Sequence, residues 1–306
     1  MVAPGRSPLV GLILSVRPSQ WTKNLIIFAA VIFGQKLLDR SAVLISIAAF
    51  AVFCALSGVV YLLNDVVDRE ADRKHPLKCR RPIASGEVSP GLALSTAAVL
   101  GIAGLAAAFY LRFEFGVIAA VYVALLGLYS GPLKHVVIID VLTIAIGFAL
   151  RAAAGALVLG IVIGHWLLIV TVLLALFLAL SKRRHELVLL ADGATSHRRI
   201  LQEYSPYLLD QMISVVTAST LVAYAIYTVS PDIIQKFGTE KLGLTLPFPL
   251  YGIFRYLYLV HQKEGGGSPS DMLLNDRPLL ACVALWVLAV VLIIYGPGQL
   301  LTGRAL

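Results

Sequence analysis

Residues 61–86 read YLLNDVVDREADRKHPLKCRRPIASG, and the rest of the chain is best read outward from them. Asn64, Asp68 and Asp72 follow one another at i, i+4 and i+8. If the helix of the preceding apolar run continues, all three fall within roughly 80° of one face and form an oxygen-lined stripe. Arg69, Arg73, Lys74, Lys78, Arg80 and Arg81 crowd the same segment, and Pro76 and Pro82 end any helix there. A mixed charge run after an apolar helix is most often a solvated loop. Two observations argue for more: the oxygens keep helical register, and they follow directly on a hydrophobic run long enough to span a bilayer. A hard cation such as Mg²⁺ is typically held by one or two carboxylates, with phosphates and waters completing its shell. Acids and bases together therefore point to metal and phosphate.

Hydrophobic residues make up 59% of the 306 positions and charged residues 14%, with a mean hydropathy of +0.87. That composition excludes an ordinary soluble domain and predicts a polytopic, all-α membrane protein. Cys54, Cys79 and Cys282 have neither a disulfide framework nor metal-ligand spacing. The opening MVAPGRSPLV lacks the order of a removable signal peptide, so the first span is expected to direct insertion.

Apolar spans are predicted at about residues 22–38, 41–64, 90–111, 114–130, 137–159, 165–181, 206–229, 246–262 and 278–296, nine in all. Counted in alternate connections, 17 of the 25 Lys and Arg residues lie on the side of the N-terminus and six on the other, while Arg151 and Arg255 lie within spans. The excess marks the cytoplasmic side. This places three polar loops, at about 65–89, 130–137 and 182–205, in the cytoplasm and makes that the active face. The charge of +8 follows this topology rule, which argues against nucleic acid as a partner. With no repeat and apolar spans on both sides of the Gly/Ser stretch at 265–268, residues 1–306 are expected to form one integral membrane domain.

Three further constellations stand out. Arg17 to Asn24 read RPSQWTKN; Trp21 and Arg17 suit an interface anchor, while Lys23 and Asn24 at a helix start suit an anion. Tyr129, Ser130, Gly131, Pro132, Leu133 and Lys134 form a tight turn that exposes a lysine, with Asp140 beyond it. Arg151 lies eleven residues after Asp140 on the same helix face, either in an internal ion pair or facing a polar cavity. Finally, Lys182, Arg183, Arg184, His185 and Glu186 close the sixth span. Alone they are a positive-inside anchor; opposite an acidic stripe they would form the second wall of a polyphosphate pocket.

The NDVVDREAD run, the RP pair after it and nine spans with polar loops after the second, fourth and sixth resemble the UbiA superfamily of intramembrane prenyltransferases over nearly the whole chain. Typical members carry a second Asp-rich motif after the sixth span, where this chain reads KRRHE. The blocks RPSQWTKN, NDVVDREADRKHPLKCRRPIASG and YSGPLKHVVIIDVLTIAIGFALRAAAG look closer to the branch acting on decaprenyl phosphate. That resemblance implies transfer of 5-phosphoribose from phosphoribosyl pyrophosphate (PRPP) to a polyprenyl monophosphate in cell-wall arabinan synthesis. It maps metal binding onto Asn64, Asp68 and Asp72, and places Asp68, Asp72, Lys134 and Asp140 at the catalytic centre. Lys78, Arg81, Lys134, Lys182, Arg183 and Arg184 would divide the phosphates. Tyr61, Asp65, Ser85, Tyr129, Ser130, His185 and Glu186 would join Lys23, Asn24 and Arg151 in the substrate site.

The swap has a physical rationale, because PRPP brings a 5-phosphate needing cations of its own, and KRRHE supplies them. The lipid phosphate is already an anion, so catalysis can rest on positioning and charge stabilisation. Two alternatives remain: an aromatic prenyltransferase using a polyprenyl diphosphate, disfavoured by the missing acidic motif, and a transporter of phosphorylated lipid, for which no paired halves appear. An apolar helix face reads alike against lipid or a second subunit, so a homo-oligomer is compatible with the sequence.

Overall fold

The fold was analysed in a computed structural model that describes residues 7–76, 78–162, 164–191, 203–263 and 268–296. Every regular element among them is helical. A short helix, α1 (Pro8–Ser15), precedes a 3₁₀ run, Pro18–Phe28, which passes into α2 (Ala29–Phe33). The long α3 (Arg40–Val67) is followed by α4 (Arg69–Lys74) and α5 (Pro82–Ser85). Then come α6 (Pro90–Leu111), α7 (Phe113–Ser130), α8 (Ile139–Val158), α9 (His165–Ala191) and α10 (Pro206–Val229). The chain continues through α11 (Pro231–Phe237), α12 (Pro247–Gln262), α13 (Pro269–Asn275) and α14 (Arg277–Tyr295).

Local sequence explains the boundaries. Ser89, Ser205 and Asp276 cap α6, α10 and α14 by accepting from the backbone N–H three residues on, each with proline in the first turn. The fixed φ of proline suits that position and its missing N–H costs nothing there. Asp39 caps α3 in the same way through Ser41 and Ala42.

Seven of these helices, α3, α6 to α10 and α14, are long and apolar enough to cross a membrane, and the protein is a multi-pass membrane protein. Two expected spans differ. The eighth is α12, shorter than the rest. The first is Pro18–Phe33, mostly 3₁₀; at about 2.0 Å per residue there and about 1.5 Å in α2, its length still approaches the hydrocarbon thickness. Arg17, with φ of 53°, turns α1 sharply into this run.

Successive helices pack as neighbours: α3 on α6, α6 on α7, α7 on α8, α8 on α9 and α9 on α10, with α12 on α14. The ring closes through Tyr295 at the end of α14. Its hydroxyl reaches the carbonyls of Val31 and Ile32 at 3.1 and 2.9 Å, and accepts from the Leu37 N–H at 3.1 Å. The 3₁₀ run lies inside, against α3 and α8. Gly155 makes that approach possible: a Cβ there would stand 2.2 Å from the Ile27 carbonyl oxygen.

Candidate active site

The acidic stripe keeps the register its spacing implies. Although α3 ends at Val67, the Asp68 N–H donates to the Asn64 carbonyl and the Asp72 N–H to that of Asp68, both at 2.8 Å. Helical bonding therefore runs through the junction with α4 and keeps Asn64, Asp68 and Asp72 on one face.

Each acid meets a base from elsewhere in the chain. Arg81 Nη1 lies 2.5 Å from Asp72 Oδ2 and 3.1 Å from Asp65 Oδ1. Arg17, stacked over the Tyr61 ring, pairs with the same Asp65 oxygen. Lys134, 4% exposed in the α7–α8 connection, places Nζ 2.5 Å from Asp68 Oδ1. The acidic loop and the lysine loop thus meet at one end of the bundle. Asp65 Oδ2 is buried without a hydrogen-bond partner, close to the Asp68 and Asp72 carboxylates that Lys134 and Arg81 meet through one oxygen each. These hard oxygens, with the Asn64 amide, fit a divalent cation of Mg²⁺ type that is completed by phosphate and water. No group of three or more His, Cys, Asp or Glu among the described residues holds a metal unaided.

The KRRHE segment departs from expectation. It is the continuation of α9 rather than loop, so Arg183 and Glu186 stand one turn apart; residues 192–202 of that expected loop lie outside the described residues. Arg183 is 2% exposed and spends its guanidinium on protein: Nε on Asp140 Oδ2 at 2.7 Å, Nη1 on Glu186 at 2.5 Å and Nη2 on the Tyr129 hydroxyl at 3.0 Å. Arg184 turns the other way and binds Asp210 of α10 at 2.5 Å, which His261 of α12 also approaches at 3.3 Å. Lys182 stands 3.8 Å from Glu186, and His185 is half-buried on the same turns.

A second departure concerns Asn24 and Arg151, which turn inward. Asn24 is fully buried and donates to Ser57 at 3.1 Å while accepting from Arg151 Nε at 2.8 Å. Arg151 also donates to the Tyr122 hydroxyl at 2.6 Å and the Gly147 carbonyl at 3.2 Å. In place of the expected ion pair, Arg151 makes these bonds to neutral partners, and the network ties the 3₁₀ run, α3, α7 and α8 together. Ser85 and Ser130 bond the Pro82 and Leu126 carbonyls of their own turns. Lys23 is half-buried on the 3₁₀ run, and Lys78 on the turn before Arg81.

Sequence reasoning missed Arg17 as a partner of Asp65, and missed Tyr122, Tyr204 and Asp210. Each lies more than twenty residues from the group it meets, beyond the reach of any spacing pattern.

Residues 24–275 match the UbiA prenyltransferase family. The chain belongs to that family. Among curated relatives, it is 33% identical over 297 residues to the decaprenyl-phosphate phosphoribosyltransferase of Mycolicibacterium smegmatis, covering 93% of this chain and 92% of the relative. It is 32% identical over 293 residues to the protein of the same name in Mycobacterium tuberculosis, covering 94% and 95%. The UbiA fold is also seen in its likeness to a UbiA homolog from Archaeoglobus fulgidus bound to DMAPP and Mg²⁺: TM-score 0.70 at 16% identity, over 92% of this chain and 98% of that one.

Proposed function

We propose that the protein is a Mg²⁺-dependent glycosyltransferase that moves 5-phosphoribose from PRPP to a polyprenyl monophosphate such as decaprenyl phosphate. It releases pyrophosphate and serves cell-wall arabinan precursor synthesis. The observation that carries this reading is likeness to phosphoribosyltransferases at 31–33% identity over more than nine-tenths of the chain. The basic SKRRHE turns on α9, where typical family members place acids, support it. The whole chain acts as one integral unit of the plasma membrane, with the Asp68 end facing the cytoplasm, where PRPP is found.

Asp68 and Asp72 would hold Mg²⁺, assisted by Asn64, and a bound ion would supply charge neutralisation for the departing pyrophosphate. Lys134 and Arg81, already drawn to these acids, stabilise the charge that develops as pyrophosphate departs. Lys78 and Lys182 serve the remaining phosphates. The nucleophile is the lipid phosphate oxygen, so no strong general base is needed and orientation supplies much of the rate.

The test is transfer of label from PRPP into organic-extractable lipid by purified protein with a polyprenyl monophosphate and Mg²⁺. Labelled lipid that is lost on chelation and in Asp68→Asn is expected. Turnover of a polyprenyl diphosphate instead, with PRPP untouched, would return the chain to the aromatic prenyltransferases. Lipid translocation in proteoliposomes without covalent product would make it a transporter.

A further inference from the structure

The segment carrying Lys134 is tied down at both ends by residues outside it. Arg183, from α9, donates through Nη2 to the Tyr129 hydroxyl at the end of α7 and through Nε to Asp140 Oδ2 at the start of α8. One guanidinium thus joins the two ends of the connection. Tyr204, just before α10, grips the same corner. Its hydroxyl donates to Asp140 Oδ1 at 2.9 Å and accepts from the Ile138 N–H at 2.8 Å.

Ile138 explains why a grip is needed. Its φ of 69° puts a β-branched residue in left-handed backbone space, which persists only where the surroundings impose it. Asp140 is fully buried and needs a cation, and Arg183 supplies it. Tyr204 is 4% exposed and has spent both its donor and an acceptor on the protein. Burial pushes its hydroxyl up to about 12, so it keeps the proton it donates to Asp140.

We propose that Arg183 and Tyr204 are positioning residues that hold the Lys134 loop against Asp68, and are not themselves ligands of the substrate. On this view the arginine that replaces an acidic motif acts through the lysine it places. The inference rests on Lys134 as a phosphate-binding residue, as proposed above.

The test joins kinetics to the chemical reactivity of Lys134. Tyr204→Phe, Arg183→Lys and Arg183→Met are purified in detergent, their melting temperatures compared with wild type, and Lys134 labelled with an amine-reactive reagent and quantified by mass spectrometry. In Tyr204→Phe, Lys134 is expected to label several-fold faster than in wild type, with kcat falling about tenfold and KM for PRPP changing less. Arg183→Lys is expected to recover part of what Arg183→Met loses. Wild-type labelling of Lys134 in Tyr204→Phe and Arg183→Met, whatever happens to activity, would overturn the proposal. The labelling does not depend on PRPP, so failure of the functional reading leaves a distinct signature: a released Lys134 in a protein that transfers no phosphoribose.

Discussion

Lys134 and Asp68, 66 residues apart in sequence, meet at 2.5 Å between Nζ and Oδ1 where the lysine loop crosses the acidic stripe. The contact joins the α7–α8 connection to the end of α3, and both partners are assigned to the same diphosphate. Replacing either removes one side of a shared charge arrangement. Lys134→Met is expected to lower kcat/KM by about 10²–10³, the range for losing one preorganised charge stabiliser. Combined with Asp68→Asn, the loss should be much smaller than the product of the single losses, since groups acting as a unit are not additive. A multiplicative double variant, measured in the PRPP transfer assay, would show that the two act independently.

The Asn24–Arg151 network predicts stability rather than chemistry. Arg151→Met leaves the Asn24 carbonyl and the Tyr122 hydroxyl without their donor in a buried place, at a cost of roughly 1–3 kcal/mol for each group. The melting temperature in detergent should fall by several degrees. Asn24→Ala should lower it in the same background by much less, because the two residues share one network. An Arg151→Met protein that melts like wild type yet has lost PRPP binding would move Arg151 back to the substrate.

Much of this was legible in the sequence, and what was not has a common cause. The span starts at 90, 206 and 278 were readable from apolar character and fall within a residue of the starts of α6, α10 and α14, and the stripe was readable because i, i+4, i+8 is a local relation. The 3₁₀ run was not, because over eleven residues a period of three is barely distinct from 3.6, and interior packing on α3 and α8 decides between them. The partners of Arg183 were hidden for another reason. Sequence shows that an arginine stands after the sixth span, but whether it faces a phosphate or Asp140 depends on how α8 and α9 are rotated against each other.

Gly155 offers a probe of that interior packing. Its site faces the Ile27 backbone, where a Cβ would meet the carbonyl oxygen at 2.2 Å and the carbonyl carbon at 3.0 Å. Backbone cannot swing aside as a side chain does, so Gly155→Ala must push the 3₁₀ run away from α8. The expected cost is about 1–3 kcal/mol of overpacking, together with a loss of activity as Arg17, at the start of the displaced run, is drawn away from Asp65 beside the acidic stripe. Unchanged melting and unchanged kinetics in Gly155→Ala would mean that α8 and the run are not held at this distance.

Asp276 sets an acid limit on the closing helices. It caps α14 by accepting from the Leu279 N–H at 2.9 Å and receives Arg255 Nη2 from α12 at 2.8 Å. The hydrogen bond from Arg255, with the cap, holds its carboxyl below the ordinary value. Because the folded-state pKa is the lower one, the stabilisation is fully present above the unfolded value of about 3.9 and is lost as pH falls through the folded one. Asp276→Asn keeps a capping oxygen but removes the charge, so it should melt lower than wild type at pH 7, with the two proteins converging as the pH falls below the unfolded value of about 3.9 and through the folded one. A difference that persists undiminished at low pH would assign the effect to the shape of the cap and not to its charge.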